Sequence, residues 1–348
     1  MIWLAEPWQN APVVSLNILI SAASRRVPLV LAFREGLKSL GVPGAVIATD
    51  VNPMSPAAHF CDRAYRVPLS SDPGYLAAIT TICDREHIGL IVPTIDDELP
   101  LFGAAAAGFA ARGVRVAVSP EGTALLCDDK YATCIHLRNA GVAAAESFLP
   151  AQLPSSPRVP AFVKPRRGRG SVSAYPARSA EELAFFLTYV PDPVVQEYLD
   201  GPEFTLDVMC DFSGRPLSIV PRQRVVIRAG VIDRGCTVND PVLIDLARAC
   251  VSAMTFMGPI NIQCRIVNGC PIVFEINPRF SGGIPLTIEA GADFPRMLIQ
   301  LALGQQLEPA IGQFRDGVWM SNYESSLFFS PGNLDRLLPV EDASRHGP

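Results

Sequence analysis

The sequence predicts an α/β chain of two or three domains, in which a doubly wound parallel sheet precedes a portion of α+β character. The length of 348 residues allows this number of domains. Short apolar strands alternate with helices over the first 120 residues, which is the pattern of a parallel sheet covered by helices. Longer strand-like segments follow, and a hairpin near residue 270 has one apolar and one polar face.

The composition is that of a globular protein with a large core. Hydrophobic residues make up 49% of the chain and charged residues 18%, against about 25% in typical proteins. The net charge of −5 gives no reason to expect a nucleic-acid partner. The sequence also shows neither a signal peptide nor an apolar run long enough to cross a bilayer, so we expect no membrane partner.

The nine cysteines show no Cys-x-x-Cys pair and no zinc-type spacing with histidine. They are scattered through apolar segments, which indicates reduced and mostly buried thiols in a cytoplasmic protein. Cys236 lies in a polar segment and is the one candidate for a reactive thiol. No histidine lies near it in sequence, so a buried thiol is the simpler interpretation.

Residues 1–120 form the predicted N-terminal domain. Its strands are predicted at 17–21, 45–50, 65–69, 88–93 and 115–119, and its helices at 27–40, 75–86 and 99–112. Asp50 ends the second strand, where a dinucleotide-binding domain would contact ribose. However, the loop at residues 21–26 contains no glycine, which argues against a pyrophosphate site there.

A second loop of this domain, residues 93–98, follows the fourth strand. Open α/β sheets bind ligands at the carboxyl ends of their strands. Asp96 and Glu98 therefore either face a substrate or cap the helix that follows, and the sequence leaves both interpretations open.

Residues 121–195 are predicted to form a linker helix and a small subdomain. The helix covers 121–140 and has Asp128, Asp129 and Lys130 in its interior. After it come a Pro- and Ser-rich linker at 150–160, a strand at 161–165, a flexible loop at 166–171 and a helix at 179–189. Ser179 and Glu182 form a capping box at the start of that helix.

Residues 196–330 are predicted to form a larger subdomain, and residues 331–348 a closing segment and tail. Strands are predicted at 194–199, 203–210 and 217–228, a loop at 235–239, and helices at 240–257 and 286–303. The hairpin lies between these two helices.

The hairpin carries the strongest chemical signal in the chain. Its polar face presents Asn261, Gln263, Arg265, Glu275 and Asn277. Carboxylate and amide oxygens on one face of a hairpin suit a hard cation such as Mg²⁺. Arg279 follows at once and is placed to meet phosphate charge.

The register of the hairpin depends on its loop. A two-residue turn at Asn268-Gly269 would mix polar and apolar residues on both faces. An odd-length loop places Gln263 opposite Glu275 and Arg265 opposite Val273, with Phe274 on the apolar face. We prefer the odd-length loop because it segregates the two faces.

The hairpin and the residues after it resemble the ATP-grasp enzymes. The resemblance lies in Gln263, in Glu275-x-Asn277-x-Arg279 and in Ser281-Gly282-Gly283. The similarity is greatest to the synthetase half of the carbamoyl-phosphate synthase large subunit and its small stand-alone relatives, and it extends over roughly residues 14–310. It implies an ATP-grasp fold in which residues 1–120 are the pre-ATP-grasp domain. The role of Ser281 stays open.

The resemblance implies a triphosphate site around the loop at 166–171, which is mobile in this family. Gly168, Gly170 and Ser171 belong to this loop, and glycines let backbone N–H groups approach phosphate. By the same resemblance, Lys130 and Lys164 contact the nucleotide. A lysine on a helix surface is the alternative for Lys130.

One segment resembles the part of this family that binds adenine and ribose. It comprises Gln196, Glu197, Tyr198 and Leu199, followed by Glu203. Glu197 and the backbone of Tyr198 and Leu199 are assigned to the base, and Glu203 to the ribose hydroxyls. The alternative for Glu197 is a solvated residue on an edge strand.

The resemblance also implies two Mg²⁺ ions, with Mn²⁺ as an alternative, held by Glu275 as a bridge and by Gln263 and Asn277 as outer ligands. Arg279 is expected to stabilise the transferring phosphoryl group. Arg224 and Arg228 share one face of a predicted strand, so one of them is expected to reach a substrate carboxylate or the γ-phosphate. A solvated basic face is the alternative.

We therefore expect an ATP-dependent carboxylate–amine ligase that forms an amide or peptide bond through an acyl phosphate. Its substrates would be a small-molecule carboxylate, such as an amino acid, and an amine, and a homodimer is one option for its assembly. Carbamoyl-phosphate-type activation of bicarbonate or carbamate is one alternative, although the chain has no glutaminase region. A non-ligating ATP-binding regulatory protein is another, although a pure binder need not keep the phosphoryl-transfer residues.

Overall fold

Residues 15–228, 230–330 and 336–340 are described in the computed structural model of this chain. They form three β-sheets, of which the first is parallel and the other two are antiparallel. This arrangement confirms the predicted fold class. In the part of the chain so described, no helix combines the length and the apolar character that a membrane crossing requires.

The first sheet and its helices form the N-terminal part of the fold. Its strands are β1 (Asn17–Ile20), β2 (Val46–Asp50), β3 (Arg63–Arg66), β4 (Ile88–Val92) and β5 (Arg115–Val116), in the order β3-β2-β1-β4-β5. The helices are α1 (Val27–Ser39), α2 (Tyr75–Arg85) and α3 (Leu99–Ala111). The strand order reverses at β1, so the carboxyl ends of β1 and β4 border the crevice where such sheets bind ligands.

Two helices connect this part to the second sheet, where a single helix at 121–140 was predicted. They are α4 (Glu121–Asp128) and α5 (Lys130–Asn139). The prediction was wrong because Asp129 adopts an extended conformation and caps α5, with its Oδ1 accepting a hydrogen bond from the Ala132 N–H at 3.0 Å.

The second sheet is small and is covered by one helix. Its strands are β6 (Ser147–Phe148), β7 (Ala161–Pro165), β8 (Tyr175–Ala177) and β9 (Pro193–Glu197), in the order β6-β9-β7-β8, and the helix is α6 (Ala180–Tyr189). Ser179 caps α6 as predicted, accepting from the Glu182 N–H at 3.2 Å. The Glu182 carboxylate accepts from the Arg178 N–H, one residue earlier than a capping box requires.

The third sheet is the largest. Its strands are β10 (Glu203–Cys210), β11 (Pro216–Arg228), β12 (Val231–Thr237), β13 (Gly258–Val267), β14 (Cys270–Asn277) and β15 (Trp319–Ser321), in the order β14-β13-β10-β11-β12-β15. The helices are α7 (Pro241–Ala253), α8 (Ile284–Glu289) and α9 (Phe294–Ala302).

Two expectations in this region were wrong. The predicted loop at 235–239 overlaps β12, because Gly235 lies where a Cβ would come within 2.2 Å of the Gln223 carbonyl oxygen. Its glycine therefore indicates close strand contact rather than a loop. The predicted helix at 286–303 is two helices, since Gly291 has φ +103° and Asp293 caps α9.

A final strand, β16 (Leu338–Pro339), pairs in parallel with β3 at the edge of the first sheet. These residues were assigned to a tail. The first and third sheets also share a hydrophobic core, in which Phe33 of α1 packs edge-on against Phe280 at a ring separation of 5.9 Å. This packing fixes the chain beyond β14 against the N-terminal part of the fold.

Candidate functional site

The β13–β14 hairpin places Gln263 directly opposite Glu275, as predicted. The predicted odd-length loop was wrong. Asn268 and Gly269 form a two-residue turn, with φ +49° and +81°, between the paired residues Val267 and Cys270.

The extra residue that the predicted register needs lies in a β-bulge of β14 and not in the turn. The register shifts between Gln263 and Cys264, where Cys264 pairs with Val273 and Phe274 is left unpaired. Arg265 consequently lies opposite Ile272 rather than Val273. Phe274 packs against the hydrophobic core, as its assignment to the apolar face predicted, but it also lines a cavity beside Glu275, which was not predicted.

A cavity of about 320 Å³ lies between the second and third sheets. It brings together most of the residues predicted to bind nucleotide or metal: Lys130, Lys164, Gly168, Ser171, Gln196, Glu197, Tyr198, Leu199, Glu203, Arg224, Gln263 and Glu275. Sequence reasoning missed an apolar part of the lining, formed by Phe162, Val172, Ala174, Pro176, Ile227 and Phe274. Apolar walls with a few convergent polar groups are typical of small-molecule sites.

Two buried lysines lie at one end of the cavity. Lys130 Nζ donates to the Gly168 carbonyl at 2.6 Å and lies 3.7 Å from Glu275 Oε1, so Lys130 is not a surface residue. Lys164 Nζ lies 3.4 Å from the Phe274 carbonyl oxygen and 5.3 Å from the centre of the Phe274 ring. Burial lowers the pKa of Lys164, and the nearby Glu275 carboxylate opposes this effect.

The loop at 166–171 covers this end of the cavity. Gly168, Gly170 and Ser171 have φ of +121°, +70° and +56°. Gly170 supplies the turn but does not itself line the cavity. Ion pairs tie the loop on both sides, from Arg166 to Asp129 at 2.6 Å and from Arg169 to Asp97 of the N-terminal part.

The β11–β12 turn touches this loop from the opposite side. A Cβ added at Gly230 would lie 3.0 Å from the Gly170 carbonyl carbon and 3.1 Å from Ser171 Oγ. Gly230 also has φ +74°. Only glycine fits this position without displacing the loop.

The opposite end of the cavity is formed by β9 and the residues after it. The Glu197 carboxylate accepts from the Glu146 N–H at 2.8 Å, and Gln196 Nε2 donates to Ser147 Oγ at 3.0 Å. Because β9 lies between β6 and β7, the edge-strand interpretation of Glu197 was wrong. Tyr198 is half-exposed, whereas Leu199 is buried.

Glu203 is held by two arginines along the cavity wall. Its two carboxylate oxygens lie 2.6 Å from guanidinium nitrogens of Arg224 and Arg265. Arg224 also donates to Gln263 Oε1 at 3.1 Å and to the Gly230 carbonyl at 2.6 Å. Burial lowers the pKa of Arg224, and Glu203 opposes this effect.

The structure does not bring Arg228 to the cavity. Its side chain is 64% exposed and pairs with Glu324 at 2.8 Å. The predicted alternation with Arg224 fails because β11 contains register shifts on both sides of Val226. Nearby Arg222 is fully buried and makes a bidentate pair with Asp207 at 2.6 and 3.0 Å.

Arg279 lies behind the hairpin, at the junction with the N-terminal part. It donates to both oxygens of Asp96, with its shortest contact at 2.8 Å, and to Asn277 Oδ1 at 3.2 Å. Asn277 and Asp96 line a small recess that shares Lys130 and Glu275 with the cavity. Arg279 and Asn277 therefore adjoin the cavity without lining it.

Two further candidate residues, Glu98 and Cys236, are buried and do not line the cavity. Glu98 is buried and accepts from Ser21 Oγ at 2.7 Å and from the Tyr75 hydroxyl at 2.6 Å, and burial raises its pKa to about 7. Glu98 is therefore neither a solvated cap nor a surface ligand. Cys236 is buried in β12, and burial raises its pKa, so it is not an activated thiolate.

The donor set on the hairpin suits a cation that arrives with phosphate. Gln263, Glu275 and Asn277 offer amide and carboxylate oxygens, the ligands that Mg²⁺ prefers. Within residues 15–228, 230–330 and 336–340, no group of three His, Cys, Asp or Glu side chains is arranged to hold a metal ion. One carboxylate with two amides leaves coordination positions for phosphate oxygens, which fits the cation of a nucleotide site.

Comparisons with known proteins match two parts of the chain to family models. A family model described as "ATP-grasp in the biosynthetic pathway with Ter operon" matches residues 189–325, and one described as "PylC-like, N-terminal domain" matches residues 18–117. The solved structure of L-amino acid ligase from Bacillus licheniformis superposes with a TM-score of 0.67 at 20% identity, covering 87% of this chain and 78% of that chain.

Two curated relatives are similar over about half of this chain. Uncharacterized protein y4rH of Sinorhizobium fredii (strain NBRC 101917 / NGR234) is 28% identical over 208 residues, which cover 53% of this chain and 42% of that protein. The carbamoyl phosphate synthase large chain of Caldanaerobacter subterraneus subsp. tengcongensis is 25% identical over 207 residues, which cover 52% of this chain and 18% of that protein. The matches thus span less than half the length of these relatives.

Proposed function

Because the chain carries an ATP-grasp domain and is related in sequence to the carbamoyl phosphate synthase large chain, we propose that it is an ATP-dependent carboxylate–amine ligase. The observation that carries the proposal is the convergence of Lys130, Lys164 and Glu275 beneath the glycine-containing loop at 166–171. Two cations, one carboxylate and a glycine turn at one end of a partly apolar cavity suit a nucleotide triphosphate.

ATP lies along the cavity, with its base near β9 and its phosphates under the loop. Glu197 and the backbone of Tyr198 and Leu199 meet the base, and the apolar lining packs on its faces. Glu203 meets the ribose hydroxyls. Its oxygens already accept from Arg224 and Arg265, but each carboxylate oxygen has a second lone pair for a further hydrogen bond.

Glu275, Gln263 and Asn277 would hold the divalent cations of the nucleotide, two Mg²⁺ with Mn²⁺ as an alternative. When bound, these cations would neutralise charge on the β- and γ-phosphates. Arg224 donates to Gln263 Oε1, which leaves that oxygen a second lone pair for a cation. Lys130 and Lys164 offset the rest of the phosphate charge.

The reaction proceeds in two steps. An oxygen of the substrate carboxylate attacks the γ-phosphorus, the bond to the β-phosphate oxygen breaks, and ADP leaves. The amine nitrogen then attacks the acyl carbon, phosphate leaves, and the nitrogen loses a proton. Arg279 stabilises charge on the transferred phosphoryl group and on the oxyanion of the second step, after exchanging its bond with Asp96.

The sequence relationship to carbamoyl phosphate synthase favours one second candidate, the activation of bicarbonate or carbamate. Both reactions start with attack of a small oxyanion on the γ-phosphorus. They differ in the acceptor, which is an organic carboxylate in the first case. A non-ligating ATP-binding protein would release no ADP with either.

A screen of ADP release tests the proposal. ATP and Mg²⁺ are incubated with the protein and with amino acids, small carboxylates, bicarbonate and amines, each alone and in pairs. A ligase releases ADP in proportion to product only when an acid and an amine are both present. Release with bicarbonate and ammonia alone supports the second candidate, and release with one organic substrate that lacks either the carboxylate or the amine supports a kinase. The absence of release from every combination contradicts an enzymatic function.

A further inference from the structure

Glu203 lies in the middle of a row of three charged side chains that crosses the third sheet. It begins β10, which has β13 on one side and β11 on the other. Arg265 is its direct partner on β13, and Arg224 reaches it from β11. Each arginine binds a different oxygen of the carboxylate, at 2.6 Å in both cases. The orientation of the carboxylate is therefore set by the two strands that flank it.

Arg265 also binds the chain that leads from the base segment to Glu203. Its Nη1 donates to the Gly201 carbonyl at 3.2 Å and lies 3.5 Å from the Leu199 carbonyl oxygen. Its Nη2 donates to Glu203. One guanidinium thus joins the carboxylate assigned to the ribose to the residues assigned to the base.

The same connection packs closely on the backbone of β13. A Cβ added at Gly201 would lie 1.9 Å from the Ile266 carbonyl oxygen, so a glycine is needed for this approach. The Ile266 N–H donates to the Pro202 carbonyl at 3.1 Å. The strand that carries Arg265 therefore holds the connection through its backbone as well.

Arg224 serves the opposite end of the cavity. It donates to Gln263 Oε1 at 3.1 Å and to the Gly230 carbonyl at 2.6 Å, beside the residues assigned to the cations and the phosphates. Loss of Arg265 would leave these bonds in place and would leave Glu203 with one cation. The roles of the two arginines can therefore be separated by substitution.

A carboxylate that has only one arginine can bind it through both oxygens. Asp207 does so with Arg222 in the same sheet, at 2.6 and 3.0 Å. In such a pair both oxygens face the guanidinium. Without Arg265, Glu203 is expected to turn toward Arg224 in this way, and its oxygens then leave the position in which they meet the ribose.

We propose that Arg265 is a positioning residue for the nucleoside part of ATP, which holds Glu203 and the connection at 199–203 in place for the ribose hydroxyls. This inference rests on the ATP site of the proposed function. Arg265 acts through Glu203 and the connection, and the triphosphate is bound by other residues. Its loss should therefore weaken recognition of the ribose and leave the binding of phosphate unchanged.

Calorimetric titration with ATP, 2′-deoxy-ATP, 3′-deoxy-ATP and inorganic tripolyphosphate tests the proposal, with Mg²⁺ present and no acid or amine. Wild-type protein is expected to bind ATP about tenfold more tightly than either deoxynucleotide, because a hydrogen bond to a charged group is lost. In Arg265→Met, the Kd of ATP rises about tenfold and the preference falls below about twofold, since the same bond is lost. The Kd of tripolyphosphate stays unchanged. Arg265→Lys keeps part of the preference, because an ammonium can still bind Glu203.

Arg315→Met is the matched control, since Arg315 also pairs with a glutamate, Glu289, at 2.8 Å but on the surface. It is expected to bind all four ligands as the wild type does. Three results overturn the inference and leave the ligase function standing: equal binding of ATP and the deoxynucleotides by the wild type, an unchanged preference in a folded Arg265→Met protein, or a loss of tripolyphosphate binding as large as that of ATP. A wild-type protein that binds no ATP overturns the ligase function and this inference with it.

Discussion

Gln263 and Glu275 face each other across the β13–β14 ladder although the turn between the strands has only two residues. The bulge at Phe274 explains this register. With a two-residue turn alone, polar and apolar side chains would be mixed on each face, and the one unpaired residue shifts the pairing so that the polar residues share a face again. It also directs Phe274 toward the cavity, where its ring lies beside Lys164. The bulge therefore creates both the amide–carboxylate pair and part of the apolar lining.

Glu275→Gln tests the importance of this pair. The substitution keeps the shape of the side chain but removes the one carboxylate among the three hairpin donors. We expect turnover to fall by about 10²–10³-fold or more, since the phosphoryl charge loses its cation site. ADP release measures the effect, and circular dichroism checks the fold. Glu308→Gln, at an exposed position, is the control, and wild-type turnover in Glu275→Gln would refute the metal assignment.

Gly230→Ala tests the contact between the β11–β12 turn and the loop at 166–171. The added Cβ would approach the Gly170 carbonyl carbon within 3.0 Å, so the loop must shift. We expect ATP binding to weaken by roughly fivefold, the equivalent of about 1 kcal/mol. Nucleotide titration gives the dissociation constant.

Gly41→Ala separates this effect from backbone strain. Gly41 also has a positive φ, +65°, but no atom lies within 4 Å of its added Cβ. Both variants should lose about 1 kcal/mol of stability from the left-handed backbone. If Gly41→Ala weakens ATP binding as much as Gly230→Ala does, the contact with the loop has no role.

Arg222→Met tests the buried pair with Asp207, in which both side chains are 1% exposed. Removal of the guanidinium leaves a buried carboxylate without its cation, although Thr287 Oγ1 still donates to it. We expect a loss of about 3–5 kcal/mol in the free energy of unfolding. Arg228→Met, which removes an exposed pair on the same strand, should cost less than about 1 kcal/mol. Urea unfolding of the two variants gives the comparison, and similar losses would count against the prediction.

Glu98 should make stability depend on pH. Its pKa rises from 4.5 to about 7 on folding, because burial outweighs the hydrogen bonds from Ser21 and Tyr75. The folded state then binds more protons than the unfolded state between these values, so stability falls as the pH rises from about 4.5 through 7. The loss is on the order of 3 kcal/mol at most.

Glu98→Gln removes this titration. The difference in unfolding free energy between pH 5 and pH 8 should be smaller in the variant than in the wild type, as measured by urea unfolding at both values. An unchanged pH dependence would mean that Glu98 titrates normally in the folded protein.

The sequence predicted the large features of the fold well, because they depend on local patterns. The alternation of apolar strands and helices before residue 120 and the polar face of the hairpin each have a clear period. Helix 121–140 was predicted as one piece because Asp129 has no special signature inside a helical stretch. Its role as a cap depends on the extended backbone at that residue, which apolar periodicity does not show.

Site residues that belong to short sequence motifs were predicted to lie together. The positions of those that depend on tertiary contacts were not predicted. Lys130, Lys164 and Glu275 meet in one cavity as expected. Arg228 does not, because bulges in β11 interrupt the alternation on which the prediction depended. The ion pair between Arg279 and Asp96 joins residues 183 positions apart, and no local sequence pattern predicts it.

The pairing of β16 with β3 has a consequence for how the chain is made. The sheet that begins with Asn17 gains its strand β16 only when Leu338 and Pro339 have left the ribosome, so the outer edge of β3 stays open while the second and third sheets are synthesised. Open edges invite other strands. A nascent chain that stalls before this point would therefore expose an unpaired strand edge on β3, which can pair with other chains until β16 covers it.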